Sequence, residues 1–243
     1  MTDVVEQLRR DGIVVLPRRF ENVAGMVRHL DTKPVYENHV RQRKPPVQGG
    51  LGSHPWMCRD MHDVLRAPGW LETALSTYDI VKEYLGRPPL LYSVNVFYTE
   101  PSPPQPKADI QGWHRDTDDS AFLALFAYLT DVHQPEDGAH EYVLGSQGDA
   151  IKKDRDHPTE SSRIGRVLGD AGRMFLSDPR GLHRGLVPEH RRRAIAWARW
   201  GVSDPPPSYV WDMLEPMPAE SLGYGRYPND QELRDAIRLV VRA

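Results

Sequence analysis

His114 and Asp116 stand two residues apart in Gly112-Trp113-His114-Arg115-Asp116, so an extended backbone projects an imidazole and a carboxylate from the same face. These make two corners of a metal site. A second histidine, His183 in Asp178-Pro179-Arg180-Gly181-Leu182-His183-Arg184-Gly185, supplies the third corner if the fold brings the chain back. Two histidines and one carboxylate leave coordination positions open for a cosubstrate and dioxygen, an arrangement suited to a non-haem Fe(II) oxygenase. His-x-Asp alone occurs by chance in many surface loops, so its weight depends on the sequence around it.

Holding three such side chains together takes a scaffold. The 243 residues read as a single domain spanning 1–243, long enough to bury a sizeable core. The 31 Lys and Arg are scattered against 34 Asp and Glu, for a net charge of -3. That balance suggests neither a nucleic-acid footprint nor a membrane patch, and a small-molecule substrate is the expected partner. The single cysteine, Cys58, excludes an intrachain disulfide framework and Cys-rich zinc or iron-sulfur sites. No stretch is apolar enough to span a bilayer, and Met1-Thr2-Asp3-Val4-Val5-Glu6 lacks the regions of a signal peptide, so a cytoplasmic location is expected.

Along the chain, helical patterns cover Val4 to Arg10, Phe20 to Leu30, Asp60 to Arg66 and Gly69 to Leu85. Strand patterns cover Ile13 to Leu16, Leu90 to Tyr98, Ala121 to Leu129, Glu141 to Leu144, Arg173 to Leu176 and Arg193 to Trp200. Helices in front and strands behind give an α+β domain on a jelly-roll-like β-core. Residues 32–59 show no sustained period, and they hold Trp56 and the basic group Arg41, Arg43 and Lys44. They are expected to form a lid or substrate loop. Glu100 to Ile110 reads as a proline-rich loop that delivers the chain to His114, Lys152 to Ser162 as an exposed polar stretch, and 202–243 as a C-terminal extension with a helix. Asp118 and Asp119 are expected in a solvated turn, and His133, His140, His157 and His190 at the surface or in loops. Asp178 is expected to order the loop before His183 or to support a ligand there.

Trp113-His114-Arg115-Asp116, Tyr128-Leu129-Thr130-Asp131-Val132, Asp137-Gly138-Ala139-His140, Gly145-Ser146-Gln147, and His183-Arg184-Gly185 with Arg192-Arg193-Ala194-Ile195 follow one another in an order and spacing that resembles the phytanoyl-CoA dioxygenase family. Asp11-Gly12-Ile13-Val14-Val15-Leu16-Pro17 resembles that family's opening. The resemblance runs from about residue 10 to 201, with 32–88 matching only in general character. It implies a double-stranded β-helix (a jelly-roll or cupin-like core) and a dioxygenase using Fe(II), 2-oxoglutarate and O2 to hydroxylate or otherwise oxidise an aliphatic C–H bond, with release of succinate and CO2.

Carried over residue by residue, the resemblance makes His114, Asp116 and His183 the iron ligands and an arginine beyond His183 the holder of the distal carboxylate of 2-oxoglutarate. A guanidinium fork grips a carboxylate through paired, charge-assisted hydrogen bonds. Tyr128 and Asn95 join Arg192 and Arg193 as candidate cosubstrate contacts. Between the arginines, the family match favours the first of the pair. Strand parity adds that Arg192 shares a face with Ala194, Ala196 and Ala198, which leaves room for a cosubstrate, whereas Arg193 goes with Ile195 and Trp197. The presence of Asp116 sets the chain apart from halogenase relatives, which need a small residue there. The family's usual hydroxyl residue after the second histidine is replaced within Gly185-Leu186-Val187-Pro188. A cupin-like metal-binding protein without turnover and a metal-dependent isomerase or hydrolase on the same core are the other readings of these residues.

Overall fold

In the computed structural model, which describes residues 2–37, 46–101, 112–148, 163–204 and 215–243, the alternation of side chains along the strands sorts the core into two compartments. The strands are β1 (Ile13–Arg19), β2 (Trp56–Cys58), β3 (Leu90–Thr99), β4 (Phe122–Tyr128), β5 (His140–Val143), β6 (Ile164–Val167), β7 (Arg173–Ser177), β8 (His183–Gly185) and β9 (Arg193–Gly201), followed by the short pair β10 (Met217–Pro218) and β11 (Val241–Arg242). Six form an antiparallel sheet in the order β1-β7-β4-β9-β3-β2, and three form a second antiparallel sheet, β6-β5-β8.

One face of the six-stranded sheet turns Leu123, Leu125, Ala127, Ala194, Ala196 and Ala198 into a core that it shares with the helices. These are α1 (Thr2–Asp11), α2 (Val23–Asp31), α3 (Met61–Arg66), α4 (Trp70–Leu75), α5 (Tyr78–Leu85) and, late in the chain, α6 (Gln231–Ile237). Trp70 packs edge-on against Phe20, and Tyr78 edge-on against Trp200 of β9. The other face turns Ala124, Phe126, Tyr128, Phe175 and Ile195 toward Tyr142 and Val167 of the small sheet. The space between the two sheets is therefore the second compartment, and the candidate site lies there.

Several expectations need correction. The helical pattern over Gly69 to Leu85 is two helices, because Ser76 Oγ and Thr77 Oγ1 turn back onto the carbonyls of Thr73 and Ala74, at 2.6 and 2.7 Å, and the chain bends between them. The irregular segment 32–59 contains an edge strand: β2 pairs with β3, and Tyr36 bridges to Cys58. Three residues are too few to show a period. The three-residue β8 is too short for the same reason, and β6, Ile164-Gly165-Arg166-Val167, shows no apolar alternation. After residue 202 the described chain carries the helix α6, capped by Asp230, whose side chain accepts from Leu233 N at 3.0 Å. Arg41, Arg43, Lys44, His39, His157, the Lys152–Ser162 stretch and most of the proline-rich loop lie outside the described residues. Among the described residues no helix is long and apolar enough to cross a membrane.

Candidate metal centre

Extended backbone on both sides brings the three candidate ligands together. His114 and His183 form an antiparallel bridge, exchanging N–H to carbonyl bonds of 3.0 and 2.9 Å, and Asp116 N donates to Pro179 O at 2.8 Å. The two-residue spacing then puts the Asp116 carboxylate beside both rings. Each ring is oriented alike: Nδ1 of His114 lies 2.8 Å from Gly112 O, and Nδ1 of His183 lies 2.9 Å from Gly181 O. A carbonyl can only accept, so Nδ1 carries the proton and Nε2 keeps the lone pair that a metal takes. His114 Nε2 is 3.7 Å from Asp116 Oδ1 and His183 Nε2 is 4.0 Å from Oδ2, and one ligand atom of each residue falls within 4.8 Å of the others. The donor set and its spacing fit one cation held by two imidazoles and a carboxylate. Burial, then the neighbouring His114, pushes the His183 imidazole down to about 4. It is neutral at physiological pH, and a metal displaces no proton from it.

The loop before His183 is fixed by Asp178, which is fully buried. Its carboxylate binds Arg180 Nη2 at 2.5 Å and the Tyr84 hydroxyl at 2.8 Å, while its carbonyl accepts from Tyr142 at 2.8 Å. Asp178 thus orders the loop. Asp118 and Asp119, expected in a solvated turn, are buried. Asp119 accepts from Val202 N and Ser203 N at 2.7 and 2.8 Å, and Asp118 pairs with Arg199. Arg199 also reaches the metal cluster, with Nη2 3.1 Å from Asp116 Oδ2 and its guanidinium 3.9 Å above the Trp197 ring. It fixes the orientation of the Asp116 carboxylate. Removing Arg199 and its counter-charge together, as Arg199→Met with Asp118→Leu, is expected to weaken metal binding about 10–100-fold, read by anaerobic Co(II) titration. Wild-type affinity would show that Arg199 does not act on the centre.

The arginine pair corrects the parity argument. Ala194, Ala196 and Ala198 face the helix-covered core, and Ile195 and Trp197 face the space between the sheets. Arg192 lies at the rim, with a side chain 35% exposed and paired with Glu100. Arg193 points inward, 6% exposed, and donates from Nη1 to Gly138 O at 2.8 Å and from Nη2 to Thr99 Oγ1 at 3.1 Å. Its Nε has no partner, and among the described residues no carboxylate lies within ion-pair distance. Two glycines make room for it: a Cβ on Gly185 would come within 2.8 Å of Arg193 Nη1, and one on Gly138 (φ +93°) within 3.1 Å of Cδ. The glycine found where the resembled family has a hydroxyl residue is therefore what admits the guanidinium.

Tyr128 and Asn95 also face between the sheets. The Tyr128 hydroxyl donates to Val167 O at 3.0 Å and accepts from His140 N at 2.9 Å, and burial pushes it up to about 12. Its proton is committed to bracing the two sheets. Asn95 stands opposite Trp197 in the β3–β9 pairing and accepts from Val96 N at 2.7 Å. His140, expected at the surface, is 5% exposed. A second grouping, Asp131, His133 and Asp170, is largely exposed, with Asp170 paired to His133 and Arg19.

No family model matches the chain, and no curated protein matches it. Solved structures do. A non-haem α-ketoglutarate-dependent carbocyclase, SnoK from nogalamycin biosynthesis, is 20% identical with a TM-score of 0.58, covering 82% of this chain and 83% of that one. The epimerase SnoN from the same biosynthesis is 18% identical with a TM-score of 0.59, covering 82% of each chain. HygX from Streptomyces hygroscopicus, crystallised with nickel and 2-oxoglutarate, is 14% identical with a TM-score of 0.59, covering 84% of this chain and 87% of that one. At these identities the likeness is one of architecture: this chain shares its fold with non-haem 2-oxoglutarate-dependent enzymes.

Proposed function

We propose that the chain is an Fe(II)- and 2-oxoglutarate-dependent oxygenase of the phytanoyl-CoA dioxygenase kind, built on a double-stranded β-helix and oxidising an aliphatic C–H bond of a small molecule in the cytoplasm. One observation supports this above all: His114, Asp116 and His183 converge in the same inter-sheet space that receives Arg193, a buried cation with no carboxylate partner among the described residues. A buried charge is costly unless paired, so an anionic ligand is the partner that Arg193 awaits.

In this reading His114, Asp116 and His183 hold Fe(II), while Arg193 and Thr99 grip the distal carboxylate of 2-oxoglutarate. Arg192, tied to Glu100 at the rim, has no part in that grip. When bound, iron and 2-oxoglutarate supply dioxygen activation, with the keto acid decarboxylated to succinate and CO2 as the C–H bond is oxidised. Trp197, Phe97 and Asn95 shape the wall offered to the substrate; the first two rings meet edge-on with centroids 4.8 Å apart. The described part of the segment 32–59 is proposed to cover that side, where Gly52 lies beside Arg192. SnoK and SnoN are named for ring closure and epimerisation, so the unit proposed here is C–H oxidation rather than hydroxylation alone.

Turnover tests the proposal. Fe(II)-loaded protein in air is expected to release succinate from 2-oxoglutarate, faster when a substrate is supplied from a small-molecule screen, and to release none with zinc in place of iron. Metal binding without succinate under every substrate would favour a cupin-like binding protein instead.

A further inference from the structure

His140 is a third imidazole in this space, and the metal cluster leaves it unused. It is 5% exposed, and its Nε2 has no hydrogen-bond partner. The ring lies against Phe175 and Phe126, with centroids 5.0 and 5.3 Å away, and stacks on His183 at 5.6 Å. In the β5–β8 pairing His140 stands opposite Gly185, and opposed residues of an antiparallel pair project from the same face. Gly185 is also the residue against which the Arg193 guanidinium packs, and Gly138, whose carbonyl accepts from Arg193, comes two residues before His140. The ring is thus set between a metal histidine and the buried arginine.

A polar nitrogen buried without a partner is destabilising, and such groups mark places where a ligand or an ordered group completes the bonding. A neutral imidazole has one N–H to donate, so this ring offers a donor beside Arg193 without adding a second buried cation.

We infer that His140 is a further cosubstrate-binding residue, whose Nε2–H donates to the distal carboxylate of the 2-oxo acid that Arg193 clamps. This rests on the site being a 2-oxoglutarate pocket. One cation and one neutral donor on a single carboxylate leave the pocket electrically balanced and favour a dicarboxylic 2-oxo acid over a monocarboxylic one.

Anaerobic calorimetric titration of the Ni(II)-loaded protein compares 2-oxoglutarate with 2-oxobutanoate, which keeps the 2-oxo acid end and lacks the distal carboxylate. His140→Leu is expected to weaken 2-oxoglutarate about tenfold and to leave 2-oxobutanoate within about twofold, with Ni(II) affinity unchanged. His140→Gln, which keeps an N–H donor, recovers most of that loss. Equal losses for the two acids, or a loss that glutamine does not recover, would make His140 a packing residue and overturn the inference. Undiminished 2-oxoglutarate affinity in His140→Leu overturns it as well. If His140→Leu does not fold, His140→Phe, which keeps a ring and deletes both nitrogens, takes its place in the comparison. Wild-type protein that binds Ni(II) but neither acid would bring down the 2-oxoglutarate reading and this inference together. Binding by the wild type with no effect at His140 would spare that reading and remove this one alone.

Discussion

Asp116→Ala is expected to empty the metal site and to abolish oxidation coupled to 2-oxoglutarate while leaving the fold intact. The fold survives because Arg199, which pairs with Asp116, keeps its pairing with the buried Asp118, so that cation is not stranded by the substitution. The loss in metal affinity should exceed the roughly 10–100-fold typical of removing an outer-shell partner, because Asp116 is the anionic member of the set. His114→Ala and His183→Ala should act alike, each leaving a two-ligand remnant. Metal content after anaerobic loading with Fe(II), measured beside circular dichroism, separates loss of the site from loss of the fold. Native occupancy in all three variants would mean that the cation, if one binds, sits elsewhere.

Arg193 carries the second large effect, and its variants split binding from stability in opposite directions. Arg193→Lys keeps a charge and loses the two-pronged fork, so 2-oxoglutarate should bind more weakly by about 1–3 kcal/mol; Arg193→Leu should bind none at accessible concentrations. The metal-loaded leucine variant without 2-oxoglutarate should be no less stable than wild type, because a buried cation with no counter-ion among the described residues is replaced by an apolar side chain. Saturating 2-oxoglutarate, at about 100 times its Kd, should raise wild-type stability by about 2.7 kcal/mol and leave Arg193→Leu where it was. Thermal denaturation with and without the ligand reads both effects. Arg192→Lys, at the rim beside Glu100, should behave as wild type. A loss confined to Arg192→Lys would return the carboxylate to the outer arginine.

The sequence disclosed His114 and Asp116 as a unit because their relation is local: two residues on extended chain share a face whatever the rest of the fold does. His183 needed the chain to return, and only the company of neighbouring motifs pointed to it. The arginine was lost on a different ground. Period two tells which residues go together but not which set faces inward. On β9 both faces are buried, so no contrast of polar and apolar residues supplies the sign. The alanine row, read as room for a ligand, is a core face in which Trp70, Tyr78 and their neighbours provide the bulk. His140 and Asp118 were misjudged because a buried polar residue and an exposed one look alike in sequence; only Phe175 and His183 on one side and Arg199 on the other reveal them as interior. The helices and long strands are legible from their periods, whereas β2 and β8 are too short to have one and β6, Ile164-Gly165-Arg166-Val167, does not alternate.

In the proposed enzyme, one iron ion at His114, Asp116 and His183 and one 2-oxoglutarate reaching Arg193 occupy the same site. Anaerobic titration of the Fe(II)-loaded protein with 2-oxoglutarate tests it most directly, through the weak visible charge-transfer band that the keto acid gives on chelating Fe(II). The account predicts a saturable band at one equivalent in wild type and in Arg192→Lys, a weaker-binding one in Arg193→Lys and none in Asp116→Ala. A band that is absent from wild type, or one that persists unchanged in Asp116→Ala, would contradict it.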